Sequence, residues 1–293
     1  MTASTHMVEA NGLRFKTLVD GPPEAEMVIL LHGFPEGAES WSHQIPALAR
    51  AGHLVVAPDL RGYGMTDAPE GAANYTLDHL VEDTRGLIEA FGKRTAHVAG
   101  HDWGAMVAWY FAGTHPEMTS TLTVFSVGHP AALAAASRDD PDQQERSRYI
   151  GLFLMKGKAE EVLLADDARR LRGMFQLGPN PDAVPHRVVD TFVRGASRPG
   201  RLTAGLNYYR ANLGTGGAAW ERLQRLGPIT APTHLVWGAE DPACGRRQAE
   251  STGAHVAGPY RFTELPGAGH WLQFERPDDV TRSLAEAASA ISS

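Results

Sequence analysis

The 293-residue chain holds a single cysteine, Cys244, which excludes an internal disulfide and a cysteine-rich zinc site. No apolar run approaches the ~20 residues of a membrane-spanning helix. Positive charge is scarce: 27 Lys and Arg stand against 34 Asp and Glu, for a net charge of −7. That balance leaves no basic footprint for nucleic acid or an anionic membrane. Repeats, low-complexity tracts and like-charge runs are also missing. The first residues, Met1 to Met7, lack a basic segment followed by an apolar stretch and so do not read as a signal peptide. Gly62-Tyr-Gly64 lacks the third glycine of a dinucleotide loop, and no glycine precedes Gly92-Lys93 at phosphate-loop spacing. The 13 histidines show no metal-ligand spacing such as His-Glu-x-x-His. The expectation is a soluble, cytoplasmic protein with no cofactor and no metal. Its oligomeric state is open.

What is present is an alternation. Short apolar runs end at Gly or Asp: Met27–Leu31 before His32-Gly33, Leu54–Ala57 before Pro58-Asp59, and His97–Ala99 before Gly100. Thr121–Val127 before Gly128 and His234–Trp237 before Gly238 continue the series. Continuous runs of this length read as strands buried on both faces. Helical patterns lie between them at Ser42–Ala51, Leu77–Phe91, Trp103–Thr114 and Asp278–Ser292. Alternation of this kind argues a mostly parallel, doubly wound α/β sheet, with ligands at the carboxyl ends of its strands. From about His129 to Trp220 the strand rhythm stops. Patterns such as Arg148–Ala165 and Arg187–Ala196 read as helices there, and strand rhythm resumes at Pro228-Ile229 and Pro232. Length alone suggests two domains. The rhythm instead predicts one core, residues 1–129 and 220–293, interrupted by a helical cap over 130–219.

Gly100-His-Asp-Trp-Gly104 falls between a strand and a helix. Glycines on both sides of Asp102 permit the sharp turn that lifts a nucleophile above a sheet. Serine hydrolases place Ser at this position. A carboxylate follows a late strand in Trp237-Gly-Ala-Glu-Asp241, where Asp241 is the candidate and Glu240 its competitor. His270 lies in the glycine-rich turn Gly267-Ala-Gly-His270. Nucleophile, acid, histidine is the chain order of the α/β-hydrolase triad. His32-Gly-Phe-Pro35 follows the first strongly apolar strand, so the backbone N–H groups of Phe34 and Trp103 are candidates for an oxyanion hole.

These motifs, with Trp41, Gln44-Ile-Pro-Ala-Leu48, Asp59-Leu-Arg-Gly-Tyr-Gly64 and Gly269-His-Trp271, resemble the epoxide hydrolases of the α/β-hydrolase superfamily. The resemblance runs over nearly the whole chain and weakens through the insertion. It implies a cis Phe34–Pro35 bond. Asp59, Arg61 and Glu36 belong to the motif and read as turn and loop structure. Leu206-Asn-Tyr-Tyr-Arg210 resembles the family segment whose second aromatic opens the ring, so Tyr209 carries that role over. Tyr149, with Phe153, Gly157 and Ala159-Glu160 after it, resembles the other cap tyrosine, although Met155 and Lys156 depart from the pattern. On a helix Tyr208 and Tyr209 lie about 100° apart, which leaves Tyr208 to packing.

An aspartate is ionised at neutral pH and needs no base to become a nucleophile. The chemistry expected is therefore attack of Asp102 on a small apolar epoxide to form an ester. His270, held by Asp241, then activates water to release a vicinal diol. An epoxide oxygen leaves as an alkoxide and needs an acid, which a phenol supplies at pH 7. A dehalogenase using the same nucleophile is the first alternative; such enzymes hold halide with N–H donors. A ligand-binding protein that keeps the fold without turnover is the second. Trp220 reads as structural and His129 as a turn residue.

Overall fold

Successive residues of one short strand enter opposite apolar layers. Val28 and Leu30 pack with Val55, Ala57, Ala99 and Val236, whereas Ile29 and Leu31 pack with Val56, Val98, Leu122 and Leu235. Both faces of the sheet are covered, so its strands are continuously apolar. The computed structural model describes residues 3–214, 221 and 225–289. Trp220 lies outside the described residues.

Eight strands form one sheet: β1 (Ser4–Ala10), β2 (Leu13–Asp20), β3 (Met27–Leu31), β4 (Leu54–Pro58), β5 (Ala96–His101), β6 (Thr119–Phe125), β7 (Thr233–Gly238) and β8 (Tyr260–Leu265). Their order is β1-β2-β4-β3-β5-β6-β7-β8. β1 pairs with β2 and β2 with β4 antiparallel, and the remaining pairs are parallel. This is an α/β-hydrolase fold. Helices α1 (Gln44–Arg50), α2 (Leu77–Ala90) and α3 (Trp103–Thr114) connect the early strands, and Pro277–Ser289 is helical at the other end. α3 is apolar all round because it is buried almost all round.

The hairpin β1–β2 is absent from the apolar-run reading because β1 is mostly exposed. Its signal was the two-residue turn Asn11-Gly12, where both residues have positive φ (46° and 73°), as a tight hairpin requires. β6 ends at Phe125, two residues short of the run read from sequence. Ile229 forms only an isolated bridge with Val256, and regular pairing resumes at Thr233.

Between β6 and β7 the described chain is helical: α4 (Pro130–Asp139), α5 (Pro141–Arg146), α6 (Tyr149–Phe153), α7 (Lys158–Met174), α8 (His186–Ala196) and α9 (Arg201–Asn212). The pattern Arg148–Ala165, read as one helix, is two: α6 stops at Phe153, and Gly157 with φ of 81° starts α7. α7 is itself broken, since Asp166, Asp167 and Ala168 all have positive φ. Arg61 fastens α2 to the loop after β4 through a buried, two-bond pair with Asp83 (2.6 and 2.7 Å).

Candidate active site

β5 ends at His101, and Asp102 turns the chain into α3 with φ 50° and ψ −118°. Positive φ is uncommon for a non-glycine residue and marks a strained turn. The flanking glycines are needed for space. A Cβ on Gly100 would stand 2.1 Å from the Gly104 carbonyl oxygen, and one on Gly104 would stand 2.1 Å from that of Leu31. The loop after β3 closes over the carboxylate from the other side. Phe34 N–H donates to Asp102 Oδ1 at 2.8 Å, and the Phe34–Pro35 bond is cis.

Asp241 follows the end of β7 and His270 the turn after β8, so parallel strands deliver both to one edge of the sheet. His270 Nδ1 donates to Asp241 Oδ2 at 2.9 Å, and His270 Nε2 faces Asp102 Oδ2 at 3.7 Å. Asp241 Oδ1 accepts the N–H groups of Ala243 (2.8 Å) and Cys244 (2.9 Å). Glu240 is exposed, so geometry separates the two candidate acids. Burial favours neutral Asp102, but the hydrogen bond and charge of His270 outweigh it and hold the carboxyl below its ordinary range. Asp241 behaves alike. Burial works against the His270 imidazolium, yet the Asp241 charge, with the Asp102 hydrogen bond, raises its pKa well above 6.5.

Of the three insertion tyrosines, two share a cavity with this carboxylate. Tyr149 from α6 and Tyr209 from α9 line the cavity that contains Asp102 and His270. The Tyr209 ring stands edge-on to Trp103 at 5.0 Å. Burial, followed by the Asp102 charge for Tyr149 and by the neighbouring Tyr149 for Tyr209, pushes both phenols well above 10. Tyr208 points elsewhere and donates to the Arg61 carbonyl at 2.8 Å. Two recesses meet at Asp102. One, of about 210 Å³, is walled by Leu152, Leu163, Met174 and Trp271. The other, of about 70 Å³, includes Ser137, Gln143 and Ser147. A further cavity of about 240 Å³ shares the Phe34 wall and is lined by Lys16, Arg194 and Arg201, away from Asp102.

Other motif residues build the surroundings. Glu36 accepts from Gly33 N–H (2.8 Å) and Ser40 (2.7 Å) and faces His101 Nδ1 at 2.9 Å. His101 Nε2 (2.8 Å) and Ser126 Oγ (3.1 Å) both donate to the His270 carbonyl, fixing the backbone that carries the imidazole. Sequence reasoning gave His101 and Ser126 no role; the one available signal was that His101 adjoins Asp102 in the motif. Asp59 accepts from Ala38 N–H at 2.9 Å and faces Lys16. His129 caps α4 by accepting from Ala131 N–H and stacks on His255, and burial lowers its pKa to about 3. Asp241, Cys244 and His270 set ligand atoms within 4.8 Å of one another. Burial and the Asp241 charge push the Cys244 thiol up, which keeps it protonated and a poor ligand, while Asp241 is taken up by its three donors.

The chain matches the alpha/beta hydrolase fold family over residues 26–277 and belongs to it. Among curated relatives it is similar to epoxide hydrolase A of Mycobacterium tuberculosis, 36% identical over 96% of this chain and 95% of that protein. Human epoxide hydrolase 4 is 32% identical over 94% of this chain and 76% of that protein. Among solved structures, epoxide hydrolase A from Mycobacterium thermoresistibile is 34% identical, with a TM-score of 0.86 over 99% of both chains. The Bacillus megaterium epoxide hydrolase bound to an inhibitor, 27% identical, aligns with a TM-score of 0.86 over 97% of this chain and 100% of that one. No helix among the described residues is long and apolar enough to cross a membrane.

Proposed function

We propose that the protein is an epoxide hydrolase that converts an epoxide and water to a vicinal diol through an ester on Asp102. The observation that carries the reading is the pair of phenols, Tyr149 and Tyr209, in the cavity above a largely enclosed, ionised carboxylate. Helices α4–α9 act as the cap that brings them there.

Asp102 Oδ2 attacks a ring carbon while the phenols hydrogen-bond the epoxide oxygen, and one phenol protonates the alkoxide as the C–O bond breaks. Their high pKa keeps both in the donor form at neutral pH. Esterification then removes the Asp102 charge, one of the two that hold His270 protonated. The imidazolium pKa falls, its proton passes through solvent to the phenolate left by ring opening, and His270 becomes a base oriented by Asp241. Water activated by His270 attacks the ester carbonyl. Oδ1 develops the negative charge and already lies 2.8 Å from Phe34 N–H. The N–H of Trp103, in the first turn of α3 and free of an intrahelical partner, supplies the second donor. Collapse of this intermediate releases the diol and restores Asp102.

A dehalogenase needs N–H donors for a halide and gains nothing from two phenols. The deciding experiment is a single turnover of an aryl or alkyl epoxide in heavy-oxygen water. The ester route places an Asp102 oxygen in the first diol and heavy oxygen in the protein. Heavy oxygen appearing directly in that diol refutes it. Halide release from haloalkanes at a rate matching epoxide opening favours the dehalogenase.

A further inference from the structure

The two recesses that meet at Asp102 differ in size and in chemistry, and the ring carbons of a bound epoxide must point their substituents into them. The wider, about 210 Å³, is walled by Leu152, Phe153, Leu163, Met174, Leu177 and Trp271. The narrower, about 70 Å³, has the apolar side chains of Met106, Val127 and Leu133 but adds Ser137, Gln143 and Ser147. Both include Tyr149, Tyr209 and Ala243 as well as Asp102, so they are arms of one site that meet at the nucleophile.

Hydrogen bonds in the narrow arm are only partly used. Gln143 is buried and committed: its amide group donates to Ser147 Oγ and to the Ala243 carbonyl, both at 2.9 Å, and its oxygen accepts Gly245 N–H at 2.8 Å. Ser147 therefore accepts one bond and keeps its own O–H to give. The Ser137 hydroxyl has no hydrogen-bond partner among the described residues. Gln143 thus fixes one hydroxyl in place, and a second, without a partner among the described residues, lines the same recess. A short substituent ending in a hydroxyl exchanges water for these two groups at little cost, whereas an apolar one strips them of water without replacing it.

We infer that the preferred substrates are unsymmetrical epoxides, with a bulky apolar group on one ring carbon and a short hydroxylated group, of hydroxymethyl size, on the other. The apolar group occupies the Leu152–Met174 arm, and the hydroxyl meets Ser137 and Ser147. This inference rests on the epoxide reading above and adds the substrate class to it.

The test compares three probes, trans-3-phenyl-2,3-epoxypropan-1-ol, trans-1-phenyl-1,2-epoxypropane and trans-stilbene oxide, followed by chromatography of the diols. The epoxy alcohol should exceed its methyl counterpart by about tenfold in kcat/KM, mainly through a lower KM, as one or two neutral hydrogen bonds give. Stilbene oxide, whose second ring overfills the narrow arm, should fall at least about tenfold below the methyl compound. Ser137→Ala should shrink the alcohol preference, and adding Ser147→Ala should bring the ratio of the first two probes close to one. Ser137→Ala alone breaks no hydrogen bond, so its result does not depend on tolerance of the double change. Comparable turnover of all three probes, or an alcohol preference unchanged in both variants, overturns this inference while leaving the epoxide reading standing. Failure to open any of the three overturns both.

Discussion

His270→Gln separates the two halves of the proposed reaction. His270 Nε2 lies 3.7 Å from Asp102 Oδ2, and Nδ1 is bonded to Asp241. A glutamine keeps a polar donor there but no base. Loss of a general base costs roughly 10²–10⁴ in the step it serves, or about 3–5 kcal/mol of activation free energy. That step is ester hydrolysis. Ester formation depends on the Asp102 carboxylate, which keeps its Phe34 donor. The substitution also removes the charge that holds Asp102 low, and burial then raises its pKa. The measurement therefore belongs at alkaline pH, which favours the Asp102 carboxylate. Asp241 retains two of its three hydrogen bonds, those from Ala243 and Cys244, so the fold should persist. Mixing the variant with excess styrene oxide should rapidly consume one equivalent of epoxide with little diol released, and intact-protein mass should rise by one substrate molecule. Peptide mapping should locate the adduct on Asp102. Folded variant that loses turnover without gaining mass refutes the division of labour between Asp102 and His270.

Three further outcomes are expected. Tyr149→Phe or Tyr209→Phe should each slow ester formation about 10²-fold, by analogy with loss of one oxyanion donor, and the double variant should be nearly inactive; unchanged single-turnover rates would remove both from the reaction. Asp102→Asn removes one carboxylate that raises His270, so the imidazole should titrate at lower pH, visible in its nitrogen chemical shifts; an unshifted titration contradicts the coupling. Because the folded His270 pKa lies above its ordinary 6.5, its stabilisation is complete below that value and is lost as pH rises through the folded one. The alkaline decline in Tm should therefore be smaller, and end at lower pH, in Asp102→Asn than in the wild type. Asp83→Asn leaves the buried Arg61 guanidinium without its carboxylate and should cost about 3–5 kcal/mol, read by urea unfolding. A loss below 1 kcal/mol would mean that water replaces the pair.

The order of the motifs along the chain, the glycine spacing around Asp102 and the run lengths of the strands are local properties, and they were legible in the sequence. Buried strands must be apolar on both faces, and a strand-to-helix turn this tight must have glycine beside it. β1 escaped notice for the complementary reason: an exposed strand needs no apolar run, and only Asn11-Gly12 betrayed it. The Tyr208–Tyr209 pair divided as helical geometry requires, with Tyr208 turned to Arg61 and Tyr209 toward Asp102. Which acid pairs with His270 is a matter of distance, and only the tertiary structure exposes Glu240 and buries Asp241. The same holds for His101 and Ser126, which reach the His270 carbonyl across 169 and 144 residues. The lone Cys244 first excluded a disulfide and a cysteine-rich zinc site by its number. Tertiary packing alone set its thiol beside Asp241 and drew Ser137 and Ser147 toward the nucleophile, because contacts between distant segments leave no periodic trace in the chain.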